Sequence, residues 1–164
     1  MMRELEVRRL GVVPYDEALA MQRQLVEERR AGRVPDLLLL LQHPAVITLG
    51  VKGDGGRANI VATDERLAEL GIAVHETGRG GDVTYHGPGQ IVGYPILDLK
   101  PDRCDVHQYV RDLESVLLAS VASFGITGVR VHGLSGVWVG QAGYEEKVAA
   151  IPLLQRLRDR SPSG

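Results

Sequence analysis

The chain has 164 residues, a formal net charge of −2, 44% hydrophobic and 4% aromatic residues, 20 glycines and one cysteine. This points to a single soluble domain with one core and excludes an internal disulfide framework. The near-balanced charge gives no basic footprint for a phosphate backbone, and the longest aliphatic run, Leu37 to Leu41, is far below the roughly 20 residues of a bilayer span, so neither nucleic acid nor membrane is expected as a partner.

The opening MMRELEVRR mixes both charge signs and lacks the apolar stretch of a secretory signal, so cytoplasm is the expected location. Leu5, Val7 and Leu10 to Val13 predict a first strand. After Pro14, the spacing of Tyr15, Ala18, Leu19, Gln22, Leu25 and Val26 predicts a helix that Gly32 ends. Leu37 to Gln42 reads as a strand covered on both faces and Val46 to Gly50 resumes it after His43-Pro44, as a hairpin or two neighbouring strands. Gly50 to Ile60 reads as a mobile loop. Thr63-Asp64-Glu65 caps a short helix stopping at Gly71, and Ala73 to Thr77 is a strand.

Gly78 to Gln90 reads as a loop hung between that strand and the next, Ile91 to Leu97. Asp105 then caps the clearest helix, with Gln108 at the third helical position and Val106, Tyr109, Val110, Leu113, Val116, Leu117, Val121 and Phe124 on one face, ended by Gly125. Gly128 to His132, Gly136 to Val139 and Lys147 to Ile151 read as strands. Short strands beside two substantial helices give an α+β class, a mixed sheet flanked by helices. From Pro152 the pattern changes: three arginines face one acid and no strand alternation survives.

The densest chemistry is Arg79-Gly80-Gly81-Asp82-Val83-Thr84-Tyr85-His86-Gly87-Pro88-Gly89-Gln90. Adjacent glycines let backbone approach a ligand without Cβ interference, although the same glycines also make plain turns. The stretch is neither a phosphate loop ending in Gly-Lys-Ser/Thr nor a complete Gly-x-Gly-x-x-Gly. The five histidines, at 43, 75, 86, 107 and 132, show no zinc-ligand spacing, so no metal is expected; His43, before a proline, reads as a strand-end hydrogen bonder. Ser135 lacks the setting of a hydrolase nucleophile. Lys147 precedes small apolar residues, and the residues alone leave open an exposed strand end or an enclosed base. Cys104 precedes a helix start, which lowers a thiol pKa, while Asp105 opposes the shift.

The run RGGDVTYHGPGQIVGY, Arg79 to Tyr94, resembles the octanoyltransferases of protein lipoylation, the LipB or lipoate-protein ligase B family. Further similar pieces follow the family's order: Gln42-His43-Pro44 leading to Thr48-Leu49-Gly50, the helix from Asp105 to Glu114, Gly136-Val137-Trp138-Val139, and Lys147-Val148-Ala149-Ala150-Ile151. The resemblance covers roughly residues 5–151 and implies the fold of lipoate and biotin protein ligases. It also implies transfer of an octanoyl group from acyl carrier protein, through an enzyme cysteine thioester, to a lysine of a lipoyl domain. Partners would be octanoyl-acyl carrier protein, the lipoyl domains of 2-oxoacid dehydrogenases and the glycine cleavage H protein, with no cofactor.

By the same resemblance, Arg79, Gly80, Gly81, Asp82, Val83, Thr84, Tyr85 and His86 line the acyl site, with Ala150 and Ile151 contacting substrate. Lys147, enclosed, matches the lysine that lowers the nucleophile's pKa. The family continues with a glycine where Pro152 stands, then a His-Gly pair and a Pro-Cys-Gly bearing the nucleophile, and none of these occurs here. Cys104 does not match that cysteine. Residues 1–151 therefore read as an incomplete catalytic domain of weak or no activity, and residues 152–164 as a divergent tail arising from a frameshift. Two alternatives stand beside this: a non-catalytic module that binds acyl chains or the carrier domain, and an ATP-dependent lipoate or biotin ligase.

Overall fold

The computed structural model describes residues 4–51, 56–100, 104–141 and 143–152. The expectations for the middle of the Gly50 to Ile60 loop and for the tail after Pro152 lie outside the described residues. Where composition suggests one domain, the chain groups into two compact units, Met1–Asp98 and Leu99–Leu153. The first holds β1 (Leu5–Val12), α1 (Tyr15–Arg30), β2 (Asp36–Gln42), β3 (Val46–Leu49), α2 (Asp64–Glu69), β4 (Ala73–Glu76), β5 (Val83–His86) and β6 (Val92–Ile96). The second holds α3 (Val106–Ala122), β7 (Val137–Val139) and β8 (Glu146–Ala149).

In the first unit, β1 and β2 are parallel neighbours joined through α1, and β6 pairs antiparallel with the other edge of β2. Pro14 starts α1 where no backbone N–H is needed; Asp16 and Glu17 in the first turn and Arg29 and Arg30 in the last oppose the helix dipole. Along β2 the side chains alternate, with Leu37, Leu39 and Leu41 buried and Leu38 and Leu40 half-buried. Leu25 of α1 joins Leu37, Leu39 and Ile96 in one cluster, and Val13, Ala18 and Leu41 form a second. Each fully buried leucine contributes about 1.5–3 kcal/mol. Pro95 is tolerated in β6 because, among the described residues, that strand pairs on one edge only.

β2 and β3 are neither a hairpin nor neighbours. Both edges of β2 are taken by β1 and β6, and β3 is the centre of a second sheet, ordered β4-β3-β5. His43, Pro44 and Ala45 carry the chain from one sheet to the other. β3 and β4 run parallel around α2, capped by Thr63, whose side chain accepts from Arg66 N at 3.2 Å; β5 is antiparallel to β3. β5 lies inside the stretch that reads as loop: the strand-favouring run Val83 to His86 pairs with β3 despite the glycines on both sides.

In the second unit, the Asp105 carboxylate accepts from His107 N and Gln108 N at 2.8 and 3.2 Å, and Gly125, at φ +76°, follows the helix end. Gln108 donates to Asp112 at 2.9 Å. The expected apolar face of α3 is only partly covered, since Val116 and Phe124 are exposed, while Glu114 on the same helix is fully buried. Of the three expected strands, the first reduces to one bridge, Val129 to Trp138, and the others form the antiparallel ribbon β7–β8. The sheets, helices and crossovers together make an α+β fold.

Candidate functional site

Register in the second sheet defines the site's floor. Thr48 pairs with His75 on one side and Thr84 on the other, and Val46 pairs with Ala73 and His86. Side chains opposite one another in register share a face, so His75, Thr48, Thr84 and His86 point to one side of the sheet. That face is polar at its centre.

Arg79 lies over this floor. Its Nη2 donates to Thr48 O at 2.7 Å, Thr48 Oγ1 at 2.9 Å and Asp82 O at 2.9 Å; Nη1 donates to Gly80 O at 3.1 Å and Nε to Thr48 Oγ1 at 3.3 Å. Burial pulls the Arg79 pKa down, opposed by Tyr15 and Asp82. The loop is also tied through its backbone, with Gly50 N donating to Asp82 O at 3.0 Å and Val51 N to Arg79 O at 3.1 Å. A Cβ at Gly50 would run into Gly81 O, so the close approach requires glycine there. Asp82 accepts from Asn59 Nδ2 at 2.6 Å and from Val83 N at 2.8 Å.

The other end of the motif is a turn. Gln90 N donates to Gly87 O at 3.1 Å across Pro88-Gly89, with Gly89 at φ +91°, the geometry that places proline second and glycine third. Gln42 Oε1 accepts from Gly89 N at 2.8 Å, which joins the Gln42-His43-Pro44 piece to the glycine-rich run.

Aromatic and imidazole rings from five segments border the face. Tyr15 lies 5.4 Å from His43 and 5.2 Å from His75, and His43 lies 5.9 Å from His86 and 6.0 Å from Tyr94, centroid to centroid. His43 is fully buried, with Nδ1 2.7 Å from Val13 O and Nε2 2.9 Å from Tyr94 Oη. A carbonyl only accepts, so Nδ1 carries the proton; neutral Nε2 then accepts from the Tyr94 hydroxyl. This matches the strand-end role expected of His43. Burial, reinforced by Tyr15, pushes Tyr94 up to about 12 against a hydrogen bond from Gln22, and burial also raises Tyr15. Burial lowers the His86 pKa, with Gln90, bonded to its Nδ1, opposing and His43 and Arg79 adding to the fall. Burial therefore favours the uncharged forms of Tyr15, Tyr94 and His86.

The structure thus gathers Arg79 to Asp82, Thr84 and His86 on and above one sheet face, with Gly80, Gly81, Thr84 and His86 half-buried, while Val83, half-buried, and Tyr85, exposed, alternate to the opposite side. Lys147, Ala150 and Ile151 belong to the second unit. Lys147 is exposed, opposite Trp138 across the β7–β8 ribbon, with Nζ 4.6 Å above the indole ring. The enclosure implied for it is not seen, because that ribbon has two strands and leaves this position open. Cys104 is also exposed, its Sγ donating to Leu99 O at 3.7 Å. Sequence reasoning missed Thr48, Tyr15 and His75 as site members; the alternation of β3 and β4 was the available signal for Thr48 and His75. Among the described residues no cluster of three or more His, Cys, Asp or Glu is placed to hold a metal, and no helix is long and apolar enough to cross a membrane.

Two mixed three-stranded sheets flanked by helices, with a glycine-rich loop clamped over one of them, are the fold of a lipoate-ligase-type catalytic domain. It is similar to a bipartite lipoate protein ligase of Thermoplasma acidophilum, with a TM-score of 0.62 at 18% identity over 88% of this chain and 54% of that one. It is also similar to lipoate-protein ligase A solved with ATP, with a TM-score of 0.58 at 16% identity over 79% of this chain and 51% of that one. The family model of the lipoyl protein ligase A/B catalytic domain matches residues 14–157, and the chain belongs to that family.

Among curated relatives, octanoyltransferase of Acidobacterium capsulatum is 48% identical over 156 residues, 90% of this chain and 63% of the relative. Octanoyltransferase of Solibacter usitatus is 50% identical over 150 residues, 92% and 66%. That of Myxococcus xanthus is 49% identical over 152 residues, 92% and 42%. The chain therefore spans less than two thirds of the length of these relatives. The resemblance drawn from the Arg79 to Tyr94 run is borne out.

Proposed function

We propose that this chain provides the octanoyl-binding part of an octanoyltransferase that works in the cytoplasm. The observation that carries the reading is near-half identity, over nine tenths of the chain, to proteins named octanoyltransferase. The reaction moves an octanoyl group from acyl carrier protein to the lysine of lipoyl domains, including those of 2-oxoacid dehydrogenases and the glycine cleavage H protein. The local chemistry suits that substrate. Half-buried Gly80 and Gly81 offer a surface without large side chains, and the rings of His86, His43 and Tyr94 border it, with burial favouring the uncharged forms of His86 and Tyr94. An alkyl chain laid there gains about 0.8 kcal/mol for each buried CH₂.

In the complete reaction a cysteine thiolate attacks the octanoyl carbonyl and the carbon–sulfur bond to the carrier's thiol breaks, releasing that thiol. The lipoyl-domain lysine amine then attacks the enzyme thioester, forming the amide and returning the cysteine thiol, while the amine's proton passes to a base. Lys147 takes the role of lowering that cysteine's pKa, and Ala150 and Ile151 that of substrate contacts. Cys104 lies on the approach to α3 and before Lys147 in the chain, so it is not the nucleophile. Residues 1–151 carry binding residues of the catalytic domain without the cysteine that would turn the substrate over.

Intact-mass measurement after mixing the chain with octanoyl-acyl carrier protein tests this. The expected result is saturable binding of the octanoyl donor without a covalent adduct. An octanoyl adduct on Cys104 that passes to a lipoyl domain would overturn the account of the nucleophile; absence of any octanoyl binding would overturn the function. Pyrophosphate release from ATP with octanoate would replace it with a ligase.

A further inference from the structure

We propose that Thr48 is a positioning residue for the acyl site and that Arg79 acts through it: together they latch the glycine loop onto β3, so Arg79 shapes the site rather than donating to the ligand. The inference rests on the octanoyl-binding reading and deepens it.

A guanidinium has five N–H groups. Both hydrogens of Arg79 Nη2 are taken by three close acceptors, Thr48 O, Thr48 Oγ1 and Asp82 O; Nε points to Thr48 Oγ1, and one Nη1 hydrogen goes to Gly80 O. At most one is left over. The acceptors belong to β3 and to both sides of the Gly80-Gly81 step, so the side chain spans the loop and staples it to the sheet centre. Thr48 is what makes the staple possible. Its side chain is buried, its hydroxyl accepts from Arg79 and donates onward to Thr84 O at 3.4 Å, and its carbonyl takes the shortest of the Arg79 bonds.

Independent backbone contacts close the same loop from the other side. Gly50 N and Val51 N, the two residues after β3, donate to Asp82 O and Arg79 O, and a Cβ at Gly50 would collide with Gly81 O. Asn59 holds the Asp82 side chain at 2.6 Å. Asp82 O thus receives both Gly50 N and Arg79 Nη2. Loss of the Thr48 hydroxyl leaves a half-buried guanidinium short of an acceptor in a cluster whose members share partners, so the cost spreads along the loop.

Thr48→Val removes the hydroxyl at nearly constant shape and Thr48→Ser keeps it. Arg79→Lys keeps the charge but cannot fork to Thr48, Asp82 and Gly80 at once. Two measurements on the full chain decide the question: amide exchange at Gly50 and Val51 without ligand, and the Kd for S-octanoyl-pantetheine, with thermal unfolding checking that each variant folds. In Thr48→Val and Arg79→Lys, exchange at both amides is expected to rise about tenfold and the Kd about five- to tenfold, with Thr48→Ser near wild type.

Unchanged exchange in Thr48→Val overturns the latch. Faster exchange with unchanged Kd overturns its role in the site and leaves a purely structural clamp. If the wild type does not bind the probe, the octanoyl reading and the latch's role in ligand binding fall together, while the exchange data still decide whether the latch exists.

Discussion

The two units handle charge in opposite ways. In Met1–Asp98 the cation at the candidate site, Arg79, is turned onto backbone carbonyls and a threonine, and burial favours the uncharged forms of Tyr15, His86 and Tyr94 near it. In Leu99–Leu153 a carboxylate, Glu114, is fully buried and held by Arg111 Nη1 at 2.8 Å, Arg130 Nε at 3.1 Å and Gly136 N at 3.1 Å, while the cation of functional interest, Lys147, lies exposed on a ribbon. The first unit shapes its site by close backbone approach and spends its charge on that shape. The second uses charge to hold a helix against a turn.

If that contrast is right, the largest losses come from different chemistry in each unit. Leu39→Ala, in the first unit's core, is expected to cost about 2–5 kcal/mol through lost burial and the cavity left behind, read from amide exchange in β2. In the second unit the damaging change is polar. Glu114→Ala strands Gly136 N–H and takes the carboxylate from Arg111 and Arg130, of which Arg130 keeps Ser115 Oγ and Arg111 O as acceptors; since both arginines are partly exposed and rehydrate, about 2–3 kcal/mol is expected, below the usual cost of breaking a fully buried pair. A loss under about 0.5 kcal/mol in urea unfolding followed by Trp138 emission would show that the network holds nothing.

Acid sharpens the same comparison, because each unit has its own titration window. Burial depresses the folded pKa of His86 below its ordinary 6.5, so its contribution is present above pH 6.5 and is lost as pH falls through the depressed value. For Glu114, burial pushes the carboxyl up, but Arg111, Gly136 N–H and Arg130 outweigh it and hold the pKa below the ordinary 4.5. Its contribution is intact above pH 4.5 and disappears as pH falls through that lower value. Changes in NMR signals around His86 are therefore expected to set in once pH falls below 6.5, and a change in the emission of Trp138, the chain's one tryptophan, which reports on the second unit, once pH falls below 4.5. Coincident transitions, or the reverse order, would refute the separation.

What was legible in the sequence follows the range of the interactions. α1, α3 and the Thr63 and Asp105 caps depend on residues a few positions apart, and each is where periodicity and capping place it. The pairing of β2 and β3 depends on which distant strands claim their edges, and local pattern carries no such information. β5 was hidden because its four residues sit between glycines that read as loop. At the site, the Arg79 to His86 run was visible as chemistry, but its partner Thr48 is 31 positions away and its bordering rings come from five segments. Glu114 was invisible for the same reason: it interrupts an apolar helix, and Arg130 is 16 positions on.

The smallest expected effect concerns the exposed cation. Lys147 Nζ sits 4.6 Å above the Trp138 ring, within reach of the ring's negative face, and an exposed cation–π pair contributes about 0.5–1 kcal/mol. Lys147→Met keeps the apolar stem over the indole and removes the charge, so its unfolding free energy should fall by about that amount, with a change in Trp138 emission. Lys147→Arg should retain most of the stability, since a guanidinium also stacks on an aromatic face. A Lys147→Met loss well beyond 1 kcal/mol would mean that the ammonium is held by more than the indole, and the contrast between a spent cation in the first unit and an exposed one in the second would fail at Lys147.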